Sequence, residues 1–462
     1  MGSATAILDT ETVATLQAGL RGQLLRPGDE GYDAARQIWN AMIDRHPALI
    51  VRCGGVADVI AAVNFGRDNE LLVAVRGGGH NVAGNAICDG GLVIDLSPMK
   101  GIRVDPVSRT AWAEAGVTWA ELDHETQVFG LATVGGTIST TGIAGLTLGG
   151  GFGWLSRHYG LACDNLLAAD VVTADGRFLR ASAEEHPDLF WGLRGGGGNF
   201  GVVTSFQYQL HEVGPTVLAG PIFHPLDAAH ELFRVFRDTA AAAPDALGGM
   251  AALLTSPEGV PLSALVPVFS GPLEEGEAVL RPLREVGSPV ADLVGPMPYQ
   301  TIQTLLDGAF PSGRRNYWKS GFLRALDDAA IDVLVEHFTR APSPFAGFGI
   351  ELYGGAANRI GPEETAFPHR DSPFNILIFT AWEDPARDEA NFGWARDLWA
   401  ALQPVAADGV YVNYLGDAEA EGQDRVRAAY GAATYERLAA LKRAYDPANL
   451  FRMNQNIIPA PA

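Results

Sequence analysis

Apolar and polar positions recur with two different periods in this chain, and the two interleave through its first half. Val56, Val59, Ile60 and Val63 fall at the i, i+3, i+4, i+7 spacing of one helical face, which predicts a helix over Val56–Asn69. The apolar runs on either side, HPALIVRCGG before it and LLVAVRGGGH after it, are too short for helices and end in glycine, so each is predicted as a strand. Further short β-rich runs follow: GLVIDL, IRVDP and TAWAEAG, then a helix from Trp119 to Phe129. DVVTADGRFLRA carries a hairpin turn at Asp175-Gly176, and GVVTSFQYQL alternates after a glycine cluster. Helices are also predicted at Thr10–Arg21 and Tyr32–Asn40.

The pattern breaks at HEVGPTVLAGP, residues 211 to 221, where proline and glycine interrupt it. Beyond lie a helix at Ala228–Ala242, strands at Leu262–Phe269, Phe348–Tyr353 and Ile376–Trp382, and helices at Ile331–Thr339, Pro385–Leu402 and Tyr435–Tyr445. The division expected is a first domain over residues 1–212, a second over 213–410, and a segment 411–462 that returns to the first. Glycine triplets recur at 77, 149 and 195 with unequal spacing, so no internal repeat is present.

Composition narrows the function. With 462 residues, 47 % apolar and 19 % charged, the chain can bury a large core and is neither disordered nor a coiled coil. A formal charge of −21 repels phosphate backbones and anionic lipid, so nucleic-acid and membrane-surface partners are disfavoured and a neutral or apolar small molecule is favoured. Three cysteines without CxxC spacing suggest neither a disulfide framework nor a metal site, and with no export signal at the N-terminus they point to the cytoplasm. The uncharged run Thr126–Ser156 is long enough to cross a membrane, but nine glycines between Gly130 and Gly153 suit backbone packed on a ligand better.

Glycine numbers 55, well above the roughly 7 % of an average chain, and it is clustered. RGGGHN, Arg76 to Asn81, follows a predicted strand, and without side chains its amides can converge on a pyrophosphate. Gly196, Gly198 and Gly201 match GxGxxG, yet a strand follows where a dinucleotide loop needs a helix, so that fingerprint is rejected. LTLGGGFGWLSR can lie flat against a planar ring. His80 and Cys163 are nucleophiles when deprotonated, although alone each reads as an ordinary loop histidine and an inert buried thiol.

Taken in order, RGGGH, GGGFGWLSRHYGLACDN, LRGGGGNFGVVTSF, YVNYLGD and DPANLFRMNQNI resemble the berberine-bridge-enzyme-like flavoproteins of the vanillyl-alcohol-oxidase class, from about Asp44 to Pro459. The resemblance implies an α+β protein with a PCMH-type FAD-binding fold and an antiparallel-sheet substrate domain covered by helices. It also implies FAD joined at its 8α-methyl to His80 and at C6 to Cys163. The expected flavin contacts are Arg76, Gly77, Gly78, Gly79, Asn81, Gly142, Gly149, Gly150, Gly153, Gly198, Gly201, Val203 and Asn454. Its catalytic tyrosine falls at Tyr411, the base for a substrate proton. On a strand Asn413 would share the face of Tyr411 while Tyr414 pointed away, and a neighbour would have to lower the phenol from its usual pKa of about 10. A residue near Ile143 or Ala144 would control oxygen access.

For the second domain, Trp318, Tyr353 and Trp382 are expected to line the substrate site, with Tyr317 a further candidate and His369 a second acid/base or orienting group. The reaction expected is hydride transfer from an alcohol, sugar or natural product to FAD, with O2 reduced to hydrogen peroxide. The alternatives are a tailoring oxidase forming a C–C, C–N or C=C bond, a dehydrogenase with another acceptor, and a flavin-holding protein without catalysis.

Overall fold

The computed structural model describes residues 9–416 and 422–461. Asp417, which closes the YVNYLGD motif, lies outside the described residues.

The first half builds two small sheets. Strands Leu49–Arg52, Leu92–Asp95 and Val73–Arg76 pair in parallel, with Gln23–Leu25 antiparallel at the edge. The helix Val56–Asp68 makes the crossover that parallel pairing requires. A five-stranded antiparallel sheet follows in the spatial order Ile102–Asp105, Thr110–Glu114, Val202–Gln209, Leu166–Val172, Phe178–Ser182. One large core joins these elements to residues 410–457, so the C-terminal helices Gln423–Tyr430 and Ala432–Tyr445 pack on the first half.

Residues 216–382 supply a nine-stranded antiparallel sheet. Its central strands alternate. Phe348, Ile350 and Leu352 pack with the helices Ala229–Ala242, Asp328–Phe338 and Asp388–Ala401, whereas Gly349 and Glu351 face a cavity. Leu253 and Met250, Leu265 and Val266, and Ile378 and Phe379 divide in the same way. The sheet is therefore helix-covered on one face and open to a cavity on the other, and the first half closes that cavity.

One local expectation is corrected, and two helices occur that the pattern did not predict. Residues 411–414 form no strand: Val412–Tyr414 is a 3-10 turn, closed by Tyr414 N–H donating to the Tyr411 carbonyl at 3.0 Å. The glycine-rich stretch holds a short helix, Ile143–Leu148. Leu273–Glu285 is helical despite Pro282 within it. Among the described residues no helix is long and apolar enough to cross a membrane.

Candidate functional site

The cavity between the two halves has a volume of about 840 Å³, within the range for small-molecule sites. One wall is glycine-rich backbone: Gly77, Gly78, Gly79, Gly142, Gly145, Gly149, Gly198 and Gly201. The opposite wall is the open face of the nine-stranded sheet, with Met250, Val266, Trp318, Glu351, Leu377 and Phe379.

Close backbone approach explains the glycines. A Cβ on Gly78 would lie 2.5 Å from the Gly142 nitrogen, and one on Gly142 would lie 2.5 Å from the Gly78 nitrogen, so neither loop admits a side chain where they cross. Among the described residues, the amides of Gly78, Gly79, His80 and Asn81 donate no hydrogen bond, which leaves a row of donors beside the cavity. A Cβ at Gly145 or Gly198 would meet nothing within 4 Å, so both present bare backbone to the space.

His80 ends this row. Its ring stacks on Trp39 with centroids 4.5 Å apart, and its buried Nε2 has no partner. Burial pulls its pKa down to about 4, which keeps the imidazole neutral and nucleophilic at ordinary pH. Tyr430, Asn454 and Gln455 also line the wall, each with a buried polar atom lacking a partner.

Tyr411 forms the floor. Its Oη accepts from Gly151 N–H at 2.9 Å, Phe152 N–H at 3.1 Å and Asn413 Nδ2 at 2.9 Å. Asn413 Nδ2 also donates to the Leu146 carbonyl at 2.9 Å, which fixes the amide orientation. The expected meeting of Tyr411 and Asn413 thus occurs through the turn rather than through strand alternation. Burial raises the phenol pKa and outweighs the lowering by its three donors, opposite to the expected direction. Tyr414, expected to point away, lines the cavity as well, donating to Glu351 Oε1 at 2.6 Å.

Of the remaining candidates, Asn81, Val203, Asn454, Ala144 and Trp318 line the cavity. Several others do not. Arg76 braces the loop from behind, its guanidinium donating to the Ala35 carbonyl. Gly150 packs against Phe367, and Gly153 is held where a Cβ would be 1.6 Å from the Gly135 carbonyl oxygen. Ile143 is wholly buried in the core.

Cys163 is also wholly buried, in a cluster with Leu161, Phe322, Phe367 and Tyr411, off the cavity wall. Burial pushes its thiol far above its ordinary pKa. The sequence motif brought it near Tyr411 without exposing it.

In the second domain, Tyr353 lies behind the wall, stacked on Phe152 at 4.4 Å. Trp382 has the wrong strand parity: Leu377 and Phe379 face the cavity, so position 382 faces the helices, and its Nε1 donates to Asp388 at 2.7 Å. Tyr317 packs on the helix side for the same reason. His369 Nε2 donates to the Ala429 carbonyl at 2.8 Å rather than facing the space.

Glu351 is the functional candidate that sequence reasoning missed. It is 2 % exposed and lines the cavity, and Oε2 accepts from Asn375 Nδ2 at 2.7 Å. Burial raises its pKa to about 7. The alternation of GFGIEL, once the strand is paired, was the pattern that could have found it.

A glycine-lined wall with free amides, facing an apolar sheet across a cavity of this size, defines a site for a large planar cofactor and a smaller substrate. Comparison with known proteins identifies the cofactor. Residues 47–182 match the model of an FAD binding domain, and residues 410–458 match the berberine and berberine-like model. The chain is 34 % identical over 453 residues to (R)-6-hydroxynicotine oxidase of Paenarthrobacter nicotinovorans, covering 95 % of this chain and 97 % of that one. It is 32 % identical over 455 residues to an FAD-linked oxidoreductase of Dictyostelium discoideum, covering 97 % of each. The crystal structure of 6-hydroxy-D-nicotine oxidase from Arthrobacter nicotinovorans superposes with a TM-score of 0.88 at 33 % identity, covering 96 % of this chain and 98 % of that one. A berberine-bridge-enzyme-like protein of Physcomitrella patens gives 0.87 at 25 % identity, covering 98 % and 99 %. The chain belongs to the berberine-bridge-enzyme-like family of FAD-linked oxidoreductases.

Proposed function

We propose that the protein is an FAD-linked oxidase that removes a hydride from a small, largely apolar substrate and passes the electrons to O2, giving hydrogen peroxide. The carrying observation is one cavity with bare backbone on one side, an apolar sheet face on the other, and Tyr411 with Asn413 at the floor. FAD, when bound, supplies the two-electron acceptor.

The chain's own residues do the rest. The amides at Gly78 to Asn81 suit the pyrophosphate, and the open backbone at Gly145 and Gly198 admits a flat ring. His80 is the proposed attachment point, with its unpartnered Nε2 on the wall. The second link expected at Cys163 finds no support in the position of that thiol, so a single link is proposed. Tyr411 is the proposed acceptor of the substrate proton; its three N–H donors hold the oxygen in place and offset part of the burial that disfavours its anion. The wall of Met250, Trp318, Leu377 and Phe379 excludes water and favours natural-product skeletons over sugars, which supports the tailoring-oxidase variant. A cytoplasmic location is part of the proposal, in keeping with three buried, unpaired cysteines.

Anaerobic mixing with a library of alcohols, amines and phenolic compounds tests this reading. Some member should bleach the flavin absorbance, and readmitted air should restore it with peroxide formed. A bound flavin that no compound reduces, or reoxidation without peroxide, would contradict it.

A further inference from the structure

The cavity wall carries one arginine, and it stands at the mouth. Among the described residues that line the cavity, Arg314 has the only guanidinium or ammonium group. Phe345 beside it is 37 % exposed, and the pairing of Leu253 with Phe348 brings the exposed Pro257 and Gly259 to the same end, so this end opens to solvent. The floor lies at the other end. Asn375 is opposite both Glu351 and Phe322, and Phe322 is seven residues along its strand from Arg315. At about 3.3 Å per residue, the Arg314 backbone is roughly 23 Å from the row at which Tyr414, packed edge-on to Tyr411, bonds to the sheet.

Arg314 is held in place but left unpaired. Its carbonyl accepts from Ala41 N–H at 2.9 Å and Asn316 Nδ2 at 2.8 Å, and Gly313 N–H donates to the Trp39 carbonyl at 3.2 Å. These bonds pin the backbone to the segment whose Trp39 stacks on His80. The guanidinium carbon lies 3.7 Å from the centroid of the Phe345 ring. That ring is itself fixed: Phe345 N–H donates to Ser343 Oγ at 3.1 Å, and Ser343 Oγ donates to the Ala381 carbonyl at 2.6 Å. The phenyl covers one face of the guanidinium and leaves its N–H edge for a partner. No carboxylate of the described residues fills that role, whereas the adjacent Arg315 grips Asp388 with two bonds at 2.8 and 2.5 Å.

We propose that Arg314, on its Phe345 platform, is the recognition site for a carboxylate at the outer end of the substrate, so that the compounds oxidised are apolar-bodied acids held by their tail at the mouth. The proposal rests on the oxidase reading and adds the charge and the direction of its substrate. A planar fork of donors matches a carboxylate, and the apolar wall between the mouth and Tyr411 takes the body. The chain's charge of −21 does not oppose this, because salt screens distant charges beyond about 10 Å and contact at the mouth is set by the arginine.

Binding of two matched probes tests it. 6-Phenylhexanoate and 6-phenylhexanamide share a shape, differ in charge and carry no alcohol or amine for the flavin to oxidise. Titrated into the flavin-loaded protein at about pH 7.5, where the acid is ionised, the carboxylate should bind about tenfold tighter or better, read from the flavin spectrum. The preference should shrink severalfold between about 0.05 and 0.5 M salt. In Arg314→Gln it should fall below about twofold, and Arg314→Lys, which keeps the charge without the fork, should recover part of it, with flavin content and melting temperature measured for both variants. Equal binding of the two probes, no binding of the carboxylate, or a preference that survives Arg314→Gln would overturn the proposal. Arg314→Gln that folds but loses its flavin would assign the cation to the cofactor's phosphates and overturn it as well. A carboxylate preference in a protein whose flavin no compound bleaches would sink the oxidase reading and leave the anion site standing.

Discussion

Replacing Lys442 with methionine should unhinge the C-terminal tail from the glycine-rich wall of the cavity. The Lys442 and Asp446 side chains are completely buried, one turn apart at the end of Ala432–Tyr445. Lys442 Nζ donates to Asp446 Oδ2 at 2.7 Å, to the Asn199 carbonyl at 2.8 Å and to the Phe451 carbonyl at 2.9 Å. Asp446 in turn accepts from the amides of Leu450 at 2.8 Å and Phe451 at 2.9 Å. One ammonium therefore fastens the loop carrying Gly198 and Asn199 to the tail carrying Asn454 and Gln455, all of which line the cavity. Methionine fills similar volume but leaves a buried carboxylate and two carbonyls without their cation. Removing one partner of such a pair costs about 3–5 kcal/mol. At roughly 2–4 °C per kcal/mol for a domain of this size, the melting temperature should fall by roughly 6–20 °C. Differential scanning fluorimetry on the wild type, Lys442→Met, Asp446→Asn and the double variant measures both the loss and the coupling. A single variant melting within about 2 °C of the wild type would refute the reasoning.

Tyr411→Phe should slow flavin reduction by roughly 10²–10⁴ with the flavin still bound, and Asn413→Leu, which removes a donor that lowers the phenol pKa, should move the limb on which the rate rises with pH to higher pH. Stopped-flow absorbance across pH checks both. Glu351 holds its proton in the folded state between its ordinary pKa of 4.5 and about 7, so it makes stability fall as pH rises through that window. Thermal melts of Glu351→Gln should show that slope reduced. Cys163→Ser should keep its covalent flavin in full, as judged by in-gel fluorescence after denaturation.

Much of the fold was legible because both periods are strong here. The helix predicted over Val56–Asn69 ends one residue earlier, at Asp68, and the predicted Asp175-Gly176 turn joins Leu166–Val172 to Phe178–Ser182. That the glycine loops and His80 line the cavity was legible because a loop after a strand is marked by local sequence. What failed depended on distant packing. YVNYLGD has strand-like composition, but Tyr411 is drawn into a turn by amides from residues 151 and 152. Cys163 sits in a motif beside the site, and only the packing of Phe322 and Phe367 over it shows that it faces inward. Trp382 and Glu351 were misjudged together, because residue type was read without strand parity. Parity puts the tryptophan on the helices and the glutamate in the cavity.

The central claim is that FAD lies along the glycine wall and is bonded to the chain once, at His80. Intact-mass spectrometry of the denatured wild type and His80→Ala tests it directly. The wild type should carry the mass of one FAD, and His80→Ala should show the bare chain even when it purifies yellow. A bare wild-type chain, or His80→Ala that still holds FAD after denaturation, would contradict the account.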